Sequence, residues 1–504
     1  MVNTFKLRTK GGEDCGEKPF LAYCDNENAE AERFSSMTMI LRQIDEDDKL
    51  TDVLKMEVLQ KCYPRHRIEQ ILSTCHVQEK RVQKLTMLLM VYFVICMSLW
   101  SRLAQRRVVR EMGHHVSLLM GPQARIVFAS APAISERREQ LGSEPMRQLF
   151  EQSCTVMGSK ATPGTFVWGR RLMALDGTLF DVPDTPANAE AFGRSRNQFG
   201  EGPFPQVRCV LMIECGSHAT VDVEITRRND AEDTSAMELV QRGVTREMLL
   251  LHDAGITGGL LWAEIRRKGA HVIAPIPEHM LTTYCRQLKD GSYLAAFVPE
   301  QSSGRKLKKA VLVRVIEYQL TDERLGEPGN VYRLGTTLLN PQSAPLREVI
   351  LVYHERWEVE LVIDEQKTHV RQQRPVLRSK TPEGVRQELY GLFLLHYAIR
   401  FVMYEAASEK GLDPDRLSLT TAICVVQHAV LDFGLSAQQQ HEALYEKMKW
   451  ELLEDLLPPR CVRINPRVLK KLYRKYKQKK RIPPELLPEP FSSEDRFLDF
   501  VLLI

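Results

Sequence analysis

The sequence has no CxxC pair. Its eleven cysteines are scattered and odd in number, which fits a reducing, intracellular compartment better than a secreted disulfide framework. Cys62, His66, Cys75 and His76 come nearest to a ligand set, but their spacing is not that of a zinc finger. No apolar run is long enough for a membrane. Leu85 to Trp100 stays uncharged for 16 residues between Arg81, Lys84 and Arg102, whereas a span takes about 20; the stretch reads as a fully buried helix. Residues Met1 to Cys24 lack the apolar core of a signal peptide. Gly200 and Gly202 lie in a Phe/Pro-rich loop that opens no helix, so they make no dinucleotide fingerprint. A charge excess is missing too: Lys plus Arg is 69 and Asp plus Glu is 65, a formal charge of +4. That balance excludes an acidic disordered tail protein and a uniformly basic chromatin-like chain, but not nucleic acid, whose footprint needs only a local cluster. The expectation is a soluble, cytoplasmic protein with no membrane partner.

What is present is a chain of 504 residues, enough for about three or four domains. Residues 1–37 read as a polar arm. A helical domain follows over 38–165, with apolar residues recurring at three- and four-residue spacing and the buried Leu85 stretch at its centre. Within it, Ser135 is the expected N-cap of a short basic helix that stops at Gly142.

From Arg171 the period changes. Short apolar strands are expected at Arg171–Leu175, ending in Asp176-Gly177-Thr178, at Val207–Ile213 and Ala219–Ile225, and at Met248–Leu251, ending in His252-Asp253. A helix near Leu260–Arg267 and a strand at Val272–Ile276 complete a mixed α/β core over 166–276. A strand-rich block over 277–345 interrupts it, and a long helix from Leu346 to His369 resumes it over 346–408. The remainder, 409–504, is helical and ends in a basic tail.

The chemistry-bearing residues are carboxylates. Asp176 and Asp253 each follow an apolar strand, where a side chain is held rigidly at the crevice of a sheet. Tyr353, Arg356, Glu360 and Lys367 fall on one helical stripe. Glu355, Glu358, Asp364 and Glu365 share that helix, so periodicity alone leaves open which acid joins the aspartates. Carboxylates from two strand ends and one helix can hold two divalent metals about 4 Å apart for in-line phosphoryl displacement. Hard oxygen ligands suit Mg²⁺, with Mn²⁺ as a substitute.

With these residues in place the chain resembles the bacterial DDE transposases of the insertion-sequence-4 family. Tyr353-His-Glu-Arg356-Trp357-Glu-Val-Glu360 with Lys367 matches the family's Tyr-Arg-Glu-Lys signature. Asp176-Gly-Thr and Asp253-Ala-Gly match its two aspartate motifs, and Leu334-Gly-Thr-Thr and Arg378-Ser-Lys-Thr-Pro382 are further family-like stretches. The resemblance covers about residues 38–430.

It implies a ribonuclease-H-like core, interrupted by a β-rich insertion, in which Asp176, Asp253 and Glu360 are the catalytic, metal-binding triad for two Mg²⁺ ions. It implies cleavage at terminal inverted repeats and joining of the 3′ ends to target DNA, by a homodimer when DNA ends are paired. Tyr353, Arg356 and Lys367 are then contacts to DNA-end phosphates. Two departures stand out. Ala254 occupies the place of a common arginine, and 277–345 contains no tryptophan to stack on a flipped base, only Tyr284, Tyr293, Phe297, Tyr318 and Tyr332 as aromatics.

The tail from Arg463 to Arg481 carries no acidic residue. Arg467, Lys470, Lys471, Arg474, Lys475 and Lys477, with Tyr473 and Tyr476 interleaved, make a candidate surface for the DNA backbone. The basic residues at 227–228 and 305–309 are candidates to extend that path. A structure-selective nuclease and a non-catalytic DNA-binding descendant are the alternative readings.

Overall fold

The computed structural model describes residues 56–79, 85–115, 129–198, 200–256, 258–277, 282–297, 310–319, 331–372 and 375–458. The polar arm, the basic tail and the 305–309 run lie outside the described residues.

The N-terminal helices are α1 (Glu57–Gln60), α2 (Arg65–Thr74), α3 (Met87–Leu99), α4 (Gln105–Met112), α5 (Ala131–Leu141) and α6 (Glu144–Ser153). Thr86 caps α3, accepting from the Leu89 N–H at 3.2 Å, and all 13 residues of α3 are buried. A 13-residue helix is about 20 Å long, short of a bilayer core, and no described helix is long and apolar enough to cross a membrane. Instead α3 packs on α12 (Pro382–Glu409). A Cβ at Gly391 would stand 2.7 Å from the Val94 carbonyl oxygen, so only glycine lets the two backbones meet. Arg378 closes the other end of α3, donating to the carbonyls of Met97 and Leu103 at 2.8 Å each. A cation at a helix C-terminus is favourable, and here it fastens the N-terminal helices to the rest of the chain.

The N-cap expected at Ser135 is displaced. Helix α5 begins at Ala131, with Ser130 accepting from the Ala133 N–H and Pro132 in the first turn, where the absent proline N–H leaves no bond unmade. Its basic face is also packed: Arg138 is buried and donates to Gln387 Oε1 at 2.9 Å and Ser379 Oγ at 3.1 Å.

Among the described residues eleven strands form one sheet: β1 (Phe166–Val167), β2 (Arg170–Asp181), β3 (Arg194–Asn197), β4 (Gly200–Glu214), β5 (Thr220–Arg227), β6 (Met248–His252), β7 (His271–Pro275), β8 (Thr282–Gln287), β9 (Tyr293–Phe297), β10 (Val311–Gln319) and β11 (Val331–Thr336). The order is β3-β4-β2-β6-β7-β11-β10-β9-β8, with β5 on β4. Among the described strands only β2, β6 and β7 run parallel, as the crossovers through α8 (Glu232–Gly243) and α9 (Gly259–Arg267) require. Strand β2 does not stop before Asp176, as the sequence suggested. It continues through Asp176-Gly177-Thr178 to Asp181, because β4 pairs with it along that whole length. The strand-rich 277–345 block extends the same sheet, β11 pairing antiparallel with β7.

Each face of the sheet has its own core. Leu172, Ala174, Leu249 and Leu251 face one core, shared with the helices that follow residue 346. Met173, Leu175 and Leu250 face the other, under α8 and α9. The helix expected over 346–369 is three pieces: α10 (Leu346–His354), α11 (Trp357–Asp364) and a π-helix (Glu365–Val370). Helices α7 (Pro186–Phe192), α13 (Leu419–Leu435) and α14 (His441–Glu454) complete the set. The result is a helical N-terminal region, a mixed open sheet flanked by helices and a helical C-terminal region, a ribonuclease-H-like fold.

Candidate active site

Strand alternation decides where the aspartates point. In the parallel pair β2–β6, Ala174 lies opposite Leu251 and Leu175 opposite His252. The next residues are Asp176 and Asp253, neighbours at the end of β6. Both continue the Ala174 and Leu251 parity, so both belong to the sheet face covered by α11. Helix α11 lies on β2, with Val359 and Val362 fully buried in the same core.

The acids lie within electrostatic reach of one another. Asp176 is pushed up to about 6, first by burial and then by the Asp253 carboxylate, with Glu360 adding to the rise. The Gly177 N–H, 2.7 Å from Asp176 Oδ1, and the Arg356 guanidinium oppose it. Arg356 Nη2 donates to Glu360 Oε1 at 3.0 Å, and its guanidinium lies 5.1 Å over the Trp357 ring. Its buried Nε has no hydrogen-bond acceptor. Tyr353 is raised well above the usual tyrosine range by burial, while Arg356 pulls the other way.

Three of the four other acids of this segment turn elsewhere. Glu358 and Glu365 meet His218, and Asp364 is exposed and bonded to Thr368 at 2.7 Å. Lys367 is carried by the π-helix to β2, where Nζ donates to the Leu179 carbonyl at 2.8 Å and to Thr178 Oγ1 at 3.1 Å. Burial and neighbouring Arg371 lower its pKa. Thus Tyr353, Arg356 and Glu360 cluster near the aspartates, while Lys367 reaches the strand just beyond them. Arg227 and Arg228 are engaged with the Glu190 carbonyl and Gln206 Oε1. Arg467, Lys470, Lys471, Arg474, Lys475 and Lys477 lie outside the described residues.

The donor set fits a divalent cation. Asp176, Asp253 and Glu360 offer only hard oxygen ligands, and a carboxyl raised by acids of its own sign is one that a bound cation would restore to its charged form. His252, preceding Asp253, is buried and neutral, its pKa lowered by burial to about 4. It bonds Trp262 Nε1–H through Nε2 at 3.1 Å and places Nδ1 2.9 Å from the Asp253 carbonyl, which fixes the turn carrying that carboxylate.

Two features were missed from the sequence. One is Glu232, whose carboxylate lies against Gly177 and Gly255 and pairs with Arg208. The other is a buried cluster behind α11. His218, Glu358 and Asp415 bring one ligand atom each within 4.8 Å of one another, a set capable of holding one metal ion. Glu365 joins it, bonded to His396 Nε2 at 2.8 Å and to Arg400 Nε at 3.0 Å. No spacing rule could have found it, because its members come from the β4–β5 turn, α11, the π-helix, α12 and the turn before α13.

The comparisons agree with this architecture. Residues 53–151 match the family described as insertion element 4 transposase N-terminal, and residues 167–398 match the transposase DDE domain. The chain is 27% identical over 433 residues to the transposase InsG for insertion sequence element IS4 of Escherichia coli K12, covering 85% of this chain and 92% of that protein. It is 22% identical over 145 residues to the putative transposase InsZ of the same organism, covering 29% and 48%. Among solved structures, a piggyBac transposase synaptic complex with hairpin DNA aligns at a TM-score of 0.38 and 11% identity, over 79% of this chain and 85% of that one. With both domain families in order along one chain, the protein belongs to the insertion-sequence-4 family of DDE transposases.

Proposed function

We propose that this protein cleaves DNA at the terminal inverted repeats of an insertion sequence and joins the freed 3′ ends to target DNA. Asp176, Asp253 and Glu360 are its metal-binding catalytic triad. The observation that carries the reading is the electrostatic coupling of two aspartates on adjacent strands with one helix glutamate packed over the same sheet face, Asp176 being raised first by burial and then by the other two acids.

Two Mg²⁺ ions, or Mn²⁺ in their place, would be held by these three carboxylates and would activate the attacking oxygen and stabilise the leaving one. The protein's own side chains do the positioning. Arg356 offers a guanidinium suited to a forked phosphate contact, and its buried, unaccepted Nε supports a ligand there, since buried donors are rarely left unpaired. Tyr353 packs beside it, and Lys367 lies one strand-step further along β2. Tyr318 and Tyr332 stack at 5.4 Å, and Tyr318 is close enough to Tyr353 to influence it. This pair is the aromatic surface of the 277–345 insertion best placed to receive an unpaired base in the absence of a tryptophan. The tail from Arg467 to Lys477 extends the DNA path by backbone contact, and the active species is a homodimer that pairs two ends.

The test is a Mg²⁺-dependent assay on the element's own terminal repeats, comparing wild type with Glu360→Gln. End cleavage and strand joining should fall by more than ~100-fold in the variant while DNA binding persists, since even outer-shell partners of a metal site are worth ~10–100-fold. Tight, specific end binding without cleavage by either protein would turn the reading toward a non-catalytic DNA-binding protein. Nicking without joining would turn it toward a nuclease.

A further inference from the structure

Both aspartate motifs keep a glycine beside the acid, Asp176-Gly177 and Asp253-Ala254-Gly255. Neither has a positive φ, so backbone conformation does not require glycine there. Space does. A Cβ at Gly177 would lie 2.6 Å from Glu232 Oε1, and a Cβ at Gly255 would lie 3.3 Å from Glu232 Oε2 and 3.1 Å from Asp253 Oδ1. One carboxylate therefore fills the room both missing side chains leave, and it faces Asp253 across the position of the second.

Glu232 arrives from the far side of the sheet. It is the first residue of α8, whose Ala236, Leu239 and Val240 are buried in the core opposite the one that holds Val359 and Val362 of α11. The pair of aspartates is thus flanked by a glutamate from each face, and each glutamate carries an arginine: Arg356 on Glu360, Arg208 on Glu232. The Glu232 side chain is 26% exposed and that of Arg208 16%, so the pair is neither solvated nor sealed. Arg208 is itself anchored, donating through Nη2 to the Arg228 carbonyl at 2.9 Å.

We propose that Glu232 is a fourth carboxylate of the metal site, with Arg208 as the counter-charge that a bound cation displaces. The proposal rests on the triad reading given above. Its chemistry is ordinary: a hard dication favours an additional oxygen ligand, and a guanidinium held on that ligand competes with the cation for it.

The opposite signs expected of the two partners make the test. Mn²⁺ binding to the full chain, followed by electron paramagnetic resonance titration, should weaken about tenfold in Glu232→Gln, recover in part in Glu232→Asp, and tighten in Arg208→Gln. If Glu232 serves only to anchor Arg208, Glu232→Gln and Arg208→Gln will lower thermal stability alike and leave Mn²⁺ affinity at the wild-type value, which overturns the proposal. Asp176→Asn separates the two levels. Mn²⁺ binding lost in Asp176→Asn but untouched in Glu232→Gln refutes the fourth ligand alone, whereas binding unchanged in both refutes the triad reading and this proposal with it.

Discussion

Helix α11 divides two acidic clusters of opposite character. On its sheet-facing side Asp176, Asp253 and Glu360 lie within electrostatic reach of one another and of the Arg356 guanidinium, and Asp176 is raised to about 6 by burial and by its fellow acids. Behind it Glu358, Glu365 and Asp415 meet Arg400 and His218, with His396 alongside. There the balance is reversed. Burial would raise Glu365, yet Arg400 and His218 hold it well below the usual carboxylate range. Burial would lower His218, yet Asp415 leads the carboxylates that hold it at about 9 against the repulsion of Arg400. An acid-rich cluster short of cations is built to receive one; a cluster with most of its charge balanced by its own cations has less need of one. The second therefore reads as the brace that holds α11, and with it Glu360, at a fixed height over β2.

The difference can be broken from either side. The largest effect on stability should come from the brace. Arg400→Met leaves Glu365 and Asp415 buried without their guanidinium, and chemical denaturation should show a loss of ~3–5 kcal/mol, the range for breaking a buried ion pair. A loss below about 1 kcal/mol would mean that the cluster is not a brace. The acid-rich side should respond with the opposite sign. Asp176→Asn removes a carboxylate that folding raises to about 6, so the metal-free protein should become more stable at pH 7 by up to about 3 kcal/mol, since each tenfold change in proton affinity corresponds to about 1.36 kcal/mol. The same variant should lose the Mg²⁺-dependent rise in melting temperature.

The smallest effect is the pH dependence of the brace. His218 has a folded-state pKa of about 9, above its unfolded value of about 6.5. Its contribution is therefore fully present below about 6.5 and is lost as pH rises toward 9. The melting temperature of wild type should fall across that window more steeply than that of His218→Gln. Parallel curves would show that His218 does not carry a proton in the folded protein.

Much of this was legible in the chain. The period-2 strands, the apolar stretch at Leu85 and the ordered Asp-Gly, Asp-x-Gly and Tyr-Arg-Glu-Lys motifs are local signals, and they led to the family, the fold class and the carboxylates proposed as the site. Boundaries were read less well, and for a common reason. Strand β2 runs past Asp176 because β4 pairs with it, α5 starts early because Ser130 rather than Ser135 meets its first N–H groups, and the 346–369 helix breaks at Glu355-Arg356 before passing into a π-turn. Each depends on which partner is available, and periodicity does not encode partners.

The sequence alone determined the chemistry on offer: which acids, which arginines, and that two of the acids each follow an apolar strand segment. Only the tertiary structure decided which acid of the 355–365 stretch lies within electrostatic reach of the aspartates, and that Glu358 of α11 and Glu365 of the π-helix turn away to His218. It alone brought Glu232 through the space left by two glycines, and carried β8 to β11 onto the edge of the same sheet. The physical reason is that a carboxylate's behaviour is set by the charges and the burial around it. In this chain those neighbours lie as far apart as His218 and Asp415, a separation across which no local pattern reaches.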